Sequence, residues 1–380
     1  MEKLRELHIN DLPSDRIFVQ FEEKSHKEIF DYLKKYKFDS LNTIFNNKLN
    51  WNTYKQWKTR KHYIPLWFVI ELTNKFSKSY SINNLEKQIN SYKGPSTSSP
   101  IDNPNFPLKE DIRMLKIVGH LLGDGHVGGG FGSKLPHGKS HSEFRNFNHE
   151  LLNSFSLDLL TFGEVQSKIN YKHGSVNFPN VIGYILCYTY NIKFDTFNSR
   201  LPKIFWNLDS KLIAGLIRAY ADDESHVYDS SIEFYSCNQF LINDFMDLIK
   251  NKYPQIVMSK IKTNPSSKNI KYSFSILKES LEFYKEYIGF DHPKKTDDLV
   301  FNINRINRYN KFRTNKDCKK LTRELLENRI LTAKELSRHL IVSHSHAIKI
   351  LNHLEKENLI HRQKKEVGND YLWASNTTNL

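Results

Sequence analysis

Two acidic residues, Asp124 and Glu224, stand one hundred positions apart, each closing a segment that reads as a helix. The first segment is "IVGHLLGDGHV", Ile117–Val127, and the second is "IRAYADDESHV", Ile217–Val227. In the first, Gly119 and Gly123 are four apart and share one helical face. Glycine inside a helix costs about 1 kcal/mol relative to alanine, so close approach of a second helix is the expected compensation. In the twin, Ala219 and Asp223 take the corresponding places, with Ala214 and Gly215 a turn earlier. Helices packed through Gly119, Gly123, Gly215 and Ala219 would run side by side and bring Asp124 and Glu224 together at their ends. Those ends are the negative poles of the helix dipoles, where two carboxylates repel each other unless a cation lies between them. The pattern predicts a paired-carboxylate centre. His126 and His226, which follow the acids at matching positions, read as structural histidines at strand starts.

The elements that would position this centre repeat as well. "SEFRNFNHELLNSF", Ser142–Phe155, aligns with "IEFYSCNQFLINDF", Ile232–Phe245, at an offset of 90. That one offset matches Glu143 with Glu233, Phe144 with Phe234, Asn148 with Asn238, Leu151 with Leu241, Asn153 with Asn243 and Phe155 with Phe245. The ten-residue difference from the spacing of the acids fits an extra loop, "GGGFGSKLPHGK", in the first copy. Two copies of one unit are therefore expected, about 108–205 and 206–313. Each reads helix, hairpin strands, helix, further strands, helix. "KYSFSIL" alternates as a strand should, with Lys271, Ser273 and Ser275 opposite Tyr272, Phe274 and Ile276.

Charge and composition frame the ends. The net charge of +14 is concentrated there. Residues 1–90 hold 16 basic against 11 acidic residues and residues 301–380 hold 16 against 8, while 91–300 are nearly balanced. Basic flanks suit a polyanionic partner. No apolar run is long enough to cross a bilayer and no apolar leader core opens the chain, so a cytoplasmic protein is expected. Cys187, Cys237 and Cys318 lack metal-type spacing and read as reduced thiols. "GDGHVG" and "GSKLPHGKS" lack the strand-to-helix context and spacing of phosphate loops, so no nucleotide cofactor is expected.

Residues 1–90 read as an all-α unit of short helices with a basic turn. Its "TYKQWKTRKHYIPL" stretch resembles the recognition end of a phage-repressor-like helix-turn-helix and offers Lys58, Arg60 and Lys61 to DNA. Residues 91–107, rich in Ser, Pro and Asn, read as a linker. Residues 319–376 read as a helix at Leu321–Glu327, a second capped by Thr332, and a third at Ser345–Glu357 with Ile348, Leu351 and Leu354 inward. A basic hairpin follows. This order resembles a winged helix-turn-helix, which would aim His344, Ser345, His346 and Lys349 at the major groove and Arg362, Lys364 and Lys365 at phosphate.

"IVGHLLGDG" and "IRAYADDES" resemble the two signature helices of single-chain LAGLIDADG homing endonucleases of the archaeal type. "NPNFPLKEDIRMLK" and "LPKIFWNLDSKLIAGL" are similar to the family's lead-ins, and "IGFDHPKKTDDL" to the tail of its second repeat. The likeness spans about 103–313 and departs from the pattern at Asp223 and Ser225. It implies an α+β fold, a pseudo-twofold saddle of two antiparallel sheets with helices on one face. It also implies a monomer that cuts both strands of duplex DNA. By the resemblance Mg2+ or Mn2+ would be held by Asp124 and Glu224, with Gly123 and Asp223 beside them, and assisted by Lys295. Lys168, Lys260, Lys262 and Lys271, in strand candidates, would touch DNA. The alternatives are a transcription regulator that keeps the fold without cleaving, and an RNA maturase.

Overall fold

The computed structural model describes residues 4–95, 99–128, 142–265, 270–308, 315–364 and 371–376. The protein is a mixed α+β chain with several small antiparallel sheets.

The N-terminal stretch is not all-α. It runs β1 (Glu6–Leu7), β2 (Phe18–Phe21), α1 (Glu23–Leu33), α2 (Phe38–Ile44), α3 (Trp51–Lys58), β3 (Ile64–Pro65), α4 (Leu66–Lys75), α5 (Ile82–Glu86), β4 (Ile89–Lys93) and β5 (Ile101–Asp102). Asn50 starts α3 by accepting from the Asn52 and Thr53 amides. The strands were hidden by their brevity: "FVQF" buries only Val19 and Phe21, and Pro65 sits on the edge strand, where a missing N–H is harmless. Nor are residues 91–107 a spacer. β4 and β5 continue the sheet, and β5 pairs with β9 (Glu164–Val165) from the next unit. Tyr92 and Ile101 are buried among the polar residues that gave the segment its linker composition, and the Tyr92 hydroxyl donates to the Phe162 carbonyl.

The repeated block begins with β6 (Leu108–Lys109), which pairs with β1. The first unit is α6 (Ile112–Gly123), β7 (Gly125–His126), β8 (Ser142–Arg145), α7 (His149–Asp158), β9, β10 (Lys168–Asn170), β11 (Ser175–Phe178) and α8 (Asn180–Tyr190). The second is α9 (Ser210–Glu224), β12 (Ser225–Tyr228), β13 (Ser231–Ser236), α10 (Gln239–Lys252), β14 (Lys262–Pro265), β15 (Ile270–Leu277), α11 (Leu281–Tyr287) and α12 (Pro293–Arg308). Their sheets have the same order, β7-β8-β11-β10 and β12-β13-β15-β14. The register repeats too, since His126 faces Glu143 and His226 faces Glu233. Asn148 and Asn238 cap α7 and α10 identically, accepting from the Leu151 and Leu241 amides. Each helix layer covers the apolar face of its sheet: Phe155 of α7 meets Phe144 of β8 at 4.5 Å, and Tyr284 of α11 meets Phe234 of β13 edge-on at 6.4 Å. The extra-loop segment lies outside the described residues.

The last unit is α13 (Asn315–Asn328), β16 (Leu331–Thr332), α14 (Ala333–Leu340), α15 (His344–Lys356), β17 (Ile360–Lys364) and β18 (Tyr371–Ser375), with sheet order β16-β18-β17. The helix α13 starts six residues before the expected Leu321. Thr332 and Glu335 form a reciprocal capping box at the start of α14. On α15 the buried residues are Ala347, Ile350, Leu351 and Leu354, so Ile350 rather than Ile348 faces the core. This unit has a core of its own, whereas the N-terminal unit and both repeats share one. Among the described residues no helix is long and apolar enough to cross a membrane.

Candidate nucleic-acid interface

The helices α6 and α9 lie directly against each other. A Cβ at Gly119 would stand 2.5 Å from the Leu216 carbonyl oxygen and 2.8 Å from Ala219 Cβ. One at Gly215 would stand 2.5 Å from Ile112 Cγ1, and one at Gly123 2.8 Å from Asp223 Cβ. Only glycine permits this approach at Gly119, where backbone is the obstacle. The parallel run of the two helices carries both terminal acids to one end.

Asp124 closes α6 at the protein surface and lines two adjoining open clefts of about 270 and 560 Å3. The smaller is walled by His126, Glu143 and Arg145, and the larger by Asn146, Phe147, His173 and His292. Glu224 is the last residue of α9 and is half-buried. Burial raises both carboxyls; for Glu224 the charge of Asp124 adds to it and the pKa reaches about 7, while Lys295 opposes the shift at both acids. The pair is thus short of positive charge.

Asp223 turns away from the clefts. Its side chain is fully buried, with Oδ2 2.8 Å from His120 Nδ1 on α6 and Oδ1 accepting from Asn146 Nδ2 at 3.1 Å. One oxygen is engaged across the helix pair by His120 and the other by Asn146, which itself lines the larger cleft. Burial pushes His120 down to about 4 and raises Asp223. The departure at Asp223 is therefore accommodated by the opposite helix, through Gly123 in space and His120 in hydrogen bonding. His120 escaped notice in the sequence, although its counterpart in the twin is Tyr220, a residue with no similar charge chemistry. Asp222, also buried, accepts from the Asp291 and His292 amides and ties α9 to the loop before α12.

Lys295 lies beside the acids, as its charge acts on both Asp124 and Glu224. Its Nζ donates to the carbonyls of Ala221, Asp222 and Ser225 at 2.8, 2.7 and 2.6 Å. All three of its hydrogens cap the end of α9, and none is free to reach a substrate. Lys295 is a positioning residue that sets the field at the acids. A buried network behind it joins the repeats, with Lys116 2.8 Å from both Asp158 and Asp291 and Arg218 3.3 Å from Asp291.

Of the strand lysines, Lys168 and Lys262 open the outer strands β10 and β14 and are exposed. The β14–β15–β13 register puts Lys262, Ser273 and Tyr235 on one face, and Lys271 lies 5.5 Å over the Tyr235 ring on that side. Lys260 is exposed but precedes β14. At the N-terminal unit, Lys58 ends α3 and Lys61 is exposed, whereas Arg60 is engaged with the Phe21 carbonyl and Glu23.

In the last unit, Ser345 and Lys349 are exposed on α15, and the His346 amide is taken by the N-cap Ser343. Arg362 pairs with Glu355 and stacks over Tyr371, Lys364 is exposed, and Lys365 lies outside the described residues. This unit is docked on the second repeat: Lys334 and Arg338 both grip Asp298, and Asp229 accepts from the His344 amide at the start of α15.

No family model matches the chain. Among curated proteins, the glutamine–fructose-6-phosphate aminotransferase [isomerizing] of Methanocaldococcus jannaschii is 23% identical over 217 residues. That match covers 55% of this chain and 19% of the relative, so the chain spans about a fifth of that protein's length. Similar solved structures include I-DmoI in complex with DNA and Mn, at TM-score 0.33 and 11% identity over 47% of this chain and 97% of that one. Full-length DUF199/WhiA from Thermatoga maritima matches at TM-score 0.32 and 14% identity, over 65% and 91%. At these scores the likenesses fix neither fold family nor activity.

Proposed function

We propose that the protein is a sequence-specific DNA-binding protein of the LAGLIDADG kind and that its paired acids hydrolyse both strands of duplex DNA. The observation that carries this reading is the pairing of α6 and α9, which ends in Asp124 on an open cleft and Glu224 beside it. Two carboxylates so placed lower stability, and a site that keeps them is best explained by a positively charged ligand. Among the described residues no group of three His, Cys, Asp or Glu side chains could hold a metal by itself. That fits Mg2+, which binds through one or two carboxylates and completes its shell with water and substrate phosphate. When bound, such an ion would supply Lewis-acid chemistry to phosphodiester hydrolysis. Asp124 and Glu224 would hold it, Lys295 would fix the end of α9, and the outward lysines of the two sheets would bind the backbone of the duplex. The two flanking units, in the helix-turn-helix and winged-helix manner, would lengthen the contact.

Incubation with a plasmid library and Mg2+ tests the reading, alongside Asp124→Asn and Glu224→Gln. Cutting at one site, reduced by about a hundredfold or more in either variant, supports it. The full use of Lys295 as a cap favours a second reading, a regulator that binds without cutting. Salt-sensitive binding with no cleavage would select it.

A further inference from the structure

Phe147 is 86% exposed, the most exposed large hydrophobic side chain among the described residues. A lone apolar residue on a surface is ordinary, but this one differs in where it is and how it is held. It lines the larger cleft together with Asp124, Arg145 and His173. The backbone beneath it is fixed on both sides. The Asn146 amide donates to the Gly174 carbonyl at 2.8 Å, Asn146 Oδ1 accepts from the Asn148 amide at 2.9 Å, and Asn146 Nδ2 reaches Asp223. Asn148 then caps α7. The ring rests beside Gly174, whose φ of +58° and lack of a side chain leave the ledge clear; a Cβ there would lie 3.0 Å from Phe147 Cδ1. Other exposed apolar residues lack these features: Phe240 is covered by the Arg200 guanidinium 5.2 Å from its ring, and Leu157 is on α7 outside the cleft.

We infer that Phe147 is an intercalating wedge, inserted between base pairs from the minor-groove side next to Asp124 so that the duplex kinks over the acids. An aromatic ring on a rigid mount has little entropy to lose on insertion, and the neighbouring Arg145 and His173 flank the opened step as phosphate contacts. The repeat supports a one-sided device, because the position 90 residues later is Cys237, which is partly buried. The kink is therefore off-centre, on the half that carries Asp124. This inference rests on the cleft's being a duplex-binding one.

The test uses the full chain and a duplex of about 40 base pairs with dyes at both ends and 2-aminopurine at a central TA step, a step that kinks easily. Binding is read by anisotropy at about 50 mM salt, bending by energy transfer, and unstacking by 2-aminopurine fluorescence. The wild type should bind, bend and unstack. Phe147→Ala, at a side chain almost wholly exposed, should still bind, more weakly than the wild type, and lose both the bend and the fluorescence rise. Phe147→Leu should keep them, and Leu157→Ala should match the wild type in every readout. An unchanged bend in Phe147→Ala, or a wild type that binds without bending, overturns the wedge and leaves the DNA-binding reading standing. Failure of the wild type to bind any duplex overturns both.

Discussion

The first repeat ends its signature helix in the open, and the second ends it under a clamp. Asp124 closes α6 at the surface with two clefts before it, while Glu224 closes α9 below three carbonyls held by Lys295. The scaffold is otherwise shared: strand order, His–Glu register and helix caps repeat from one half to the other. Duplication therefore fixed the framework, and divergence is concentrated where the two helices touch and end. Asp223 and His120 are the sharpest case, a polar pair placed where the small-residue pattern needs only close contact. The halves have become complementary, so that a residue of one is explained by its neighbour in the other.

Breaking that complementarity should give the largest effects. Removing one partner of a buried polar pair leaves the other short of a bond, so His120→Leu or Asp223→Ala should each cost about 3 kcal/mol. The double variant returns the interface to an apolar contact and should cost about 1 kcal/mol, a strong coupling in a double-mutant cycle followed by urea unfolding. Additive losses would show that the two residues act separately. Next in size is the helix contact. Gly119→Ala drives a methyl into the backbone of α9 and should cost about 2 kcal/mol. Gly215→Ala meets mainly the movable Ile112 side chain, and about 1 kcal/mol of helix propensity offsets the crowding, leaving little net change. Equal losses at the two glycines would mean that the helices are not held as described.

The acids themselves give a pH dependence. Burial and the Asp124 charge raise Glu224 from its ordinary 4.5 to about 7, so the folded state binds more protons than the unfolded state between those values. Stability should therefore fall as pH rises from about 4.5 to 7 and level off above; with partial exposure discounted, the Glu224 share is about 1.5 kcal/mol. Mg2+ should restore more of the melting temperature at pH 8 than at pH 5, and Glu224→Gln should flatten both trends. A melting temperature that rises from pH 5 to pH 8 without Mg2+, once Glu224→Gln is subtracted, would contradict the placement of this acid.

The sequence made the shared part legible and the divergent part obscure. Paired small residues four apart have few uses other than a close helix contact, and the offset of 90 carried register, caps and sheet order with it. His120 and Asp223 could not be joined from sequence, because their contact spans 103 positions and depends on how the helices are rotated. The cap that Lys295 places on α9 is equally hidden, because its contacts join residues far apart in the chain. The N-terminal strands are illegible because two to five residues hold too little alternation to stand out from helical neighbours, and Tyr92 and Ile101 are diluted by Ser, Pro and Asn.

The smallest effects should fall where the halves are most alike. Asn148 and Asn238 make the same bond, each side chain accepting from the amide three residues on, at 3.0 and 3.1 Å. Substitution of either by alanine should cost about 1 kcal/mol, and by similar amounts in the two repeats. The two backbone amides are held alike as well, Asn148 by Asn146 Oδ1 and Asn238 by Ser236 Oγ, but the onward links differ. Asn238 Nδ2 donates to the Ser199 carbonyl, which packs the start of α10 against the segment joining the repeats, whereas the amide of Asn148 is anchored by Asn146 and through it to Asp223. Alanine at 238 should thus lose a few tenths of a kcal/mol more than alanine at 148. A reversed order, measured in chemical unfolding under identical conditions, would indicate that the Asn146 bridge rather than the cap is what holds the first repeat to its twin.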